Sequence, residues 1–343
     1  MMVTPFYLTH ADLRATLGMV VPLWLPPDLP PEEGETLLST SLADAETCVQ
    51  WPHLVLVVDA SPTAQAAAER LQRRCQAQQG KTFTVLSLPE NQGKGGAVAA
   101  GLHYLLENTS VEAVVIRDAD GDHFINDVPH LARLGWQIST EQGTDLIVVN
   151  GGRRERHRPL GFIRGQYELF VNDIVWHSLA YACARSGRVL PQQYLNYSPV
   201  PDFQSGFKLY SRTAAARIVE IGNSLRQTAP AMLRWGCEVW PVVELLLAGG
   251  VIGEINRIAL HAQPLSTYNG SSRQRIYGSI LQWTFRRLEV PAPAAQQLFD
   301  NALSRILMAS HAELHAELLE LRREVLGDLA GRESSPPTTA AFC

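Results

Sequence analysis

The stretch Val114-Val115-Ile116-Arg117-Asp118-Ala119-Asp120-Gly121-Asp122 constrains the fold more than any other part of this chain. A continuous β-branched run is the pattern of a parallel strand buried on both faces, and this run ends abruptly in acid. In open α/β sheets, ligands bind beyond the carboxyl ends of such strands. Asp118 and Asp120 are two residues apart, so on an extended backbone they point to the same side. Two carboxylates there can share a hard divalent cation such as Mg²⁺ or Mn²⁺. The same pattern also suits a polar turn that caps the next helix. Its surroundings decide between the two.

Four more strands are expected. Met19–Leu25 is a short apolar strand that runs into Pro26-Pro27-Asp28-Leu29-Pro30-Pro31, which can continue neither strand nor helix. Leu54–Val58 ends at Asp59, and Phe83–Leu88 precedes the turn Asn91-Gln92-Gly93-Lys94-Gly95-Gly96-Ala97. Leu146–Val149 ends at Asn150-Gly151-Gly152-Arg153-Arg154. Helices are expected between them, near Glu35–Cys48, Thr63–Gln79 and from the glycine turn to Glu107. Strands alternating with helices mean an α/β fold, a mainly parallel Rossmann-like sheet flanked by helices. Right-handed crossovers then place Asp59, the Gly-Lys-Gly turn, Asp118, Asp120 and Arg153 on one rim.

Beyond Arg154 the pattern changes. Gly161–Ser186 reads as a long helix, Pro201–Tyr210 as a loop running into a strand, Glu238–Ala248 as a helix and Val251–Ile258 as a late strand. Gly278–Leu288 and Ala294–Leu329 are expected to be helical. In the latter, Leu307, Leu314, Leu318, Leu321 and Val325 form an apolar stripe that can dock on the chain itself or join two copies as a homodimer. These features divide the chain into a catalytic domain over 1–270, a C-terminal helical extension over 271–332 and a disordered tail over 333–343. A leading helix or arm is expected before Leu17.

Composition narrows the function classes. A net charge of -5 gives no general attraction to nucleic acid or anionic membrane. Five scattered cysteines with no C-x-x-C pair support neither a disulfide framework nor a structural zinc site. No stretch reads as a signal peptide or a bilayer span, so a cytoplasmic protein is expected. Gly80-Lys81-Thr82 resembles the end of a phosphate-binding loop, but Cys75 replaces its first glycine and it precedes a strand.

Five motifs occur in the order and rough spacing of family 2 glycosyltransferases: Val20-Val21-Pro22, Val57-Val58-Asp59-Ala60-Ser61, Asn91-Gln92-Gly93-Lys94-Gly95, Asp118-Ala119-Asp120-Gly121, and Asp202 with Ser205-Gly206-Phe207-Lys208-Leu209. Over Met19 to Thr267 the chain most resembles the branch of dolichyl-phosphate mannosyltransferases and their soluble relatives. The resemblance implies the glycosyltransferase-A fold and a nucleotide-sugar donor, UDP- or GDP-linked. The acceptor would be a sugar, polyol or phosphate-bearing molecule. It implies a donor site at Pro22, Leu23, Asp59, Asn91, Gly93, Lys94, Asp118, Ala119 and Arg153, with Asp59 at the nucleobase. Asp118 and Asp120 would hold Mn²⁺ or Mg²⁺ on the diphosphate, as Lewis-acid assistance to the departing nucleotide. Asp202 would be the general base. His261 would complete the metal site, with His123 as the second candidate. Arg153, Arg154, Arg156 and Arg158 would bind phosphate on donor or acceptor, and Glu244 matches a helical glutamate of the mannosyltransferase branch.

Two departures fall in the nucleobase pocket. Leu25-Pro26 stands where family members carry polar residues, and Ala60 where many carry a second aspartate. Two other classes remain open: a sugar-phosphate nucleotidyltransferase, disfavoured by the prolines after the first strand, and a degenerate nucleotide-sugar-binding protein.

Overall fold

The computed structural model describes residues 8–195, 198–259, 273–306 and 311–330. In chain order its elements are α1 (His10–Thr16), β1 (Leu17–Leu23), α2 (Pro31–Leu42), β2 (Leu54–Asp59), α3 (Pro62–Gln79), β3 (Thr84–Leu88), α4 (Gly93–Asn108) and β4 (Ala113–Ile116). These are followed by α5 (Val128–Gln142), β5 (Ile147–Arg153), α6 (His157–Leu160), α7 (Phe162–Arg185), β6 (Lys208–Ser211), α8 (Arg212–Thr228), α9 (Pro230–Trp235) and α10 (Trp240–Leu247). The chain then runs through β7 (Val251–Arg257), α11 (Arg273–Arg287), α12 (Ala292–Arg305) and α13 (Ala312–Ala330).

The strands form one seven-stranded sheet in the order β3-β2-β1-β4-β6-β5-β7. Every pairing is parallel except those of β6, which runs antiparallel to β4 and β5. The α/β sheet flanked by helices is therefore as expected. The inner strands β1, β2, β4 and β5 are almost wholly buried, which is why they read as unbroken apolar runs. Alternate residues feed two cores. Val20, Val57, Val114 and Val148 face α4, α7 and α8, whereas Val21, Leu56, Val115 and Val149 face α2, α3 and α5.

Helix boundaries follow local chemistry. The proline run ends by starting a helix: Pro31 stands at the first helical position of α2, where a missing N–H costs nothing. Ser61 caps α3 by accepting from the Ala64 N–H, and Gly80 ends it in the left-handed conformation. Helices α5, α6, α8 and α9 were not foreseen.

The C-terminal segment differs from the expectation of one helix over Ala294–Leu329. Ile306 leaves α12 with an extended backbone, and α13 starts at Ala312. Leu318, Leu321 and Val325 are fully buried in the same core as α7, α11 and α12, and Leu314 packs against it. The described part of the stripe docks on its own chain, the first of its two expected alternatives. Leu307 and the tail over 333–343 lie outside the described residues. Tyr167 stacks on Tyr277 at 5.0 Å and donates to Glu317, which also pairs with Arg273, tying α7, α11 and α13 together. Buried Arg322 pairs with Asp300 between α13 and α12. Among the described residues, no helix is long and apolar enough to cross a membrane.

Candidate active site

The carboxyl ends of the parallel strands open onto one cavity of about 600 Å³. Its floor is the acidic turn after β4. Arg117 anchors one side of that turn, donating to the His123 carbonyl at 2.8 Å and pairing with Asp44 at 2.8 Å. Arg257, at the end of β7, anchors the other side. It donates to the Gly151 carbonyl at 3.0 Å, the Asp122 carbonyl at 3.0 Å and the Asp122 carboxylate at 3.1 Å. The turn is thus clamped between two guanidinium groups, and Gly121 adopts φ +81 within it, a value L side chains rarely take.

Pro22, Leu23, Asp59, Asn91, Gly93, Lys94, Asp118, Ala119, Asp120 and Arg153 all line this cavity. Their local roles differ from what the motifs suggested. Asp59 does not point freely at a base: its carboxylate accepts from the Gln92 N–H at 2.7 Å and the Gly93 N–H at 2.9 Å. Burial pushes its carboxyl up, and these two donors oppose that. The turn before α4 therefore already has an internal anion, and these two N–H groups are engaged rather than open to phosphate.

Its glycines serve packing. A Cβ on Gly93 would lie 2.6 Å from the Arg234 Cα, and one on Gly95 would lie 2.7 Å from the Leu233 carbonyl. Both allow α9 to sit against α4. Gly93 also has φ +77. Gly93→Ala is expected to cost about 2–5 kcal/mol, from about 1–2 of backbone strain and about 1–3 of overpacking. Urea unfolding would measure it, and a loss below about 1 kcal/mol would show that α9 yields instead.

Asp118 and Asp120 are pulled apart electrostatically. Burial alone would raise Asp118, but the charge and hydrogen bond of Lys94 oppose it, and the carboxyl is held at about 2. Burial, followed by the charge of Asp118, pushes Asp120 up to about 6. Asp120 accepts from the Asp122 N–H at 3.1 Å. One oxygen of buried Asp122, Oδ1, has no hydrogen-bond partner in the protein.

Two adjacent carboxylates plus an orphaned acidic oxygen suit a hard divalent cation. Among the described residues, no group of three or more His, Cys, Asp or Glu is arranged to hold a metal ion. A metal here would take Asp118 and Asp120 from the protein and its remaining ligands from substrate or water.

His123 is not placed as a ligand. Its Nδ1 accepts from the Asp118 N–H at 2.9 Å, so in the neutral ring the proton is on Nε2, 3.8 Å from the Asp118 carboxylate. Burial depresses its pKa well below the usual histidine value and keeps it neutral. It stacks on Phe207 at 4.6 Å and fixes Asp118. His261 lies outside the described residues.

Asp202 does not fit the expected role of general base. It is fully buried and makes two contacts with the Arg153 side chain, at 2.8 and 2.9 Å. It also accepts from the Arg153 N–H at 3.0 Å and lies 3.4 Å from Arg156. Burial opposes its charge, but the two arginines overcome it and hold the carboxyl far below the usual range. A carboxylate so held takes up a proton poorly and is shielded from substrate. Arg153 also differs from expectation. It is the buried last residue of β5, committed to Asp202 and to Glu168 at 2.6 Å. Arg156 is likewise drawn to Asp202. Glu244 lies away from the cavity and is bound by Arg287 through both oxygens, which ties α10 to α11.

Behind Asp202, buried Glu254 accepts from its backbone N–H at 2.6 Å. Burial, and next the charge of Asp202, raise Glu254 to about 7. The folded protein therefore keeps this proton between about pH 4.5 and 7, where the unfolded chain has lost it. Stability falls as pH rises through that window. Glu254→Gln, which keeps the acceptor oxygen, is expected to stabilise the protein at pH 8 relative to pH 5 by on the order of 2 kcal/mol. Equal effects at both pH values in urea unfolding would contradict this.

Several cavity residues carried no signal in the sequence. Trp24 follows β1, Arg164 and Glu168 come from α7, Arg234 and Trp235 from α9, and Ile276 and Tyr277 from α11. Glu238, between α9 and α10, binds Lys94 at 2.9 Å. Their helices reach the rim through long-range packing, which no local motif records.

No protein-family model matches the chain, and no curated protein matches it. Among solved structures it is similar to a mannosyltransferase from Pyrobaculum calidifontis in complex with GDP-Man and Mn²⁺. The identity is 14%, covering 90% of this chain and 79% of that one, with a TM-score of 0.43. A second is GalNAc-T7 with UDP, GalNAc and Mn²⁺, at 13% identity over 90% and 55% of the two chains and a TM-score of 0.39. A third is a CMP:2-keto-3-deoxy-manno-octonic acid synthetase complexed with CTP, at 12% identity over 78% and 99% and a TM-score of 0.38. None is similar enough for its activity to transfer to this chain.

Proposed function

We propose that the chain is a metal-dependent glycosyltransferase of the glycosyltransferase-A type, moving a hexose from UDP- or GDP-sugar to a hydroxyl or phosphate acceptor. The observation that supports it most is the convergence of Asp118 and Asp120 on one cavity with the donor-side residues that the five sequence motifs imply. A divalent cation bound there would neutralise charge on the departing nucleoside diphosphate.

The chain's own residues supply the rest. Arg117 and Arg257 fix the acidic turn, and His123 holds Asp118 in place. Asp59 fixes the turn before α4, and exposed Trp24, which lines the same cavity, is left for the nucleobase. Asp202 acts as a positioning residue that sets Arg153 in the cavity wall. Helix α11 adds Ile276 and Tyr277 to the cavity wall.

A thermal-shift screen of nucleoside diphosphates and UDP- and GDP-hexoses, with and without Mn²⁺, tests the reading. A ligand that binds only the folded state raises its stability by mass action. Stabilisation by one nucleotide class, larger with Mn²⁺, is expected. No shift with any of them at millimolar concentration would reject it.

A further inference from the structure

Lys94 occupies a place that a divalent cation would contest. Its Nζ lies 2.7 Å from one oxygen of Asp118 and 2.9 Å from the other, and 2.9 Å from Glu238. An ammonium group is a compact point charge with three donors and no acceptor. Here that charge sits on the carboxylate assigned to metal. Gly206 closes the space behind the pair: a Cβ there would lie 2.6 Å from Asp118 Oδ2 and 2.7 Å from Lys94 Nζ. Glu238 offers the lysine a second anion, and its other oxygen is held by the Cys237 thiol at 2.8 Å. A divalent cation reaching Asp118 meets an ammonium at contact distance, where like charges repel strongly in a partly buried site.

We infer that Lys94 is the resident counter-ion of Asp118 and that divalent metal binding is an exchange. Lys94 gives up Asp118 to the metal, keeps Glu238, and turns its freed donors toward the cavity. Metal affinity is then set by Lys94 as well as by the two aspartates. This rests on the metal-dependent reading of the acidic pair.

The chain has three lysines, Lys81, Lys94 and Lys208. Lys81 pairs with Glu46, and Lys208 is buried against Asn150 and the Phe203 carbonyl. The full chain labelled with ¹³Cε-lysine therefore gives three side-chain signals, and Lys94→Met assigns one of them. On titration with Mg²⁺ alone, the Lys94 signal is expected to move with the midpoint that calorimetry gives for Mg²⁺, while Lys81 stays still. Calorimetry with Mn²⁺ alone is expected to show Lys94→Met binding at least tenfold more tightly than wild type.

A Lys94 signal that does not move at full Mg²⁺ occupancy overturns the exchange, and so does a Lys94→Met protein that binds Mn²⁺ no more tightly. If the wild type binds GDP or UDP with metal and Lys94 stays still, only the exchange falls. If no metal and no nucleoside diphosphate binds, the functional reading falls with it.

Discussion

Replacing Asp120 with alanine is expected to lower sugar transfer by roughly 10²–10⁴-fold and to leave a folded protein. Metal assistance to a leaving group supplies several kcal/mol of transition-state charge stabilisation, and each 1.36 kcal/mol is tenfold in rate. Asp120 is one of two carboxylates in reach of such a metal, so its loss leaves Asp118 alone on the protein side. Stability should respond the other way. Burial and the charge of Asp118 raise Asp120 to about 6, so at pH 7 its ionised form is disfavoured in the folded state. That cost is absent well below pH 4, where the residue is protonated in both states, and grows as pH rises toward 6. In metal-free buffer at pH 7, Asp120→Ala should unfold at equal or higher urea concentration than wild type. Near-wild-type turnover by the purified variant at saturating donor would refute the metal assignment.

Arg153→Met is expected to cost about 3–5 kcal/mol of stability, the range for removing one member of a buried ion pair. The side chain of Arg153 is 5% exposed and joins Asp202, which is fully buried, to Glu168, at 3%. Methionine keeps most of the volume but leaves two carboxylates facing each other. Arg156, at 3.4 Å from Asp202, and Arg164, at 3.0 Å from Glu168, offset only part of this. Adding Asp202→Leu to Arg153→Met should recover part of the loss, because an unpaired buried charge is what costs most. Urea unfolding of both variants measures it. A single-variant loss below about 1 kcal/mol would show that Arg156 had taken over the pair.

The sheet was legible because its inner strands are buried on both faces and must be apolar throughout. The acidic turn was legible for the opposite reason, since nothing in a core explains Asp118 and Asp120 at a strand end. What stayed hidden depends on residues far away in the chain. The fifth strand reads as ending at Val149, before Asn150-Gly151-Gly152, yet β5 runs through these residues to Arg153. Glu254 of the neighbouring strand fills the space beside Gly152, where a Cβ would lie 2.5 Å from its carboxyl carbon, and Phe207 fills that beside Gly151.

Asp202 looked like a base because its partner Arg153, distant in sequence, was invisible. The packing role of the glycines at 93 and 95 was hidden because α9, which packs against them, carries too short an apolar pattern to be foreseen. The C-terminal stripe had two possible partners, and its burial against α7 and α11 chose between them.

The most direct test is calorimetry of GDP and UDP binding to the full-length protein, with and without Mn²⁺. The expected result is binding of one nucleotide that Mn²⁺ tightens at least tenfold and that Asp120→Ala makes insensitive to the metal. Nucleotide binding of equal strength with and without Mn²⁺, or no binding at millimolar concentration, would contradict the assignment of this cavity as a metal–nucleotide site.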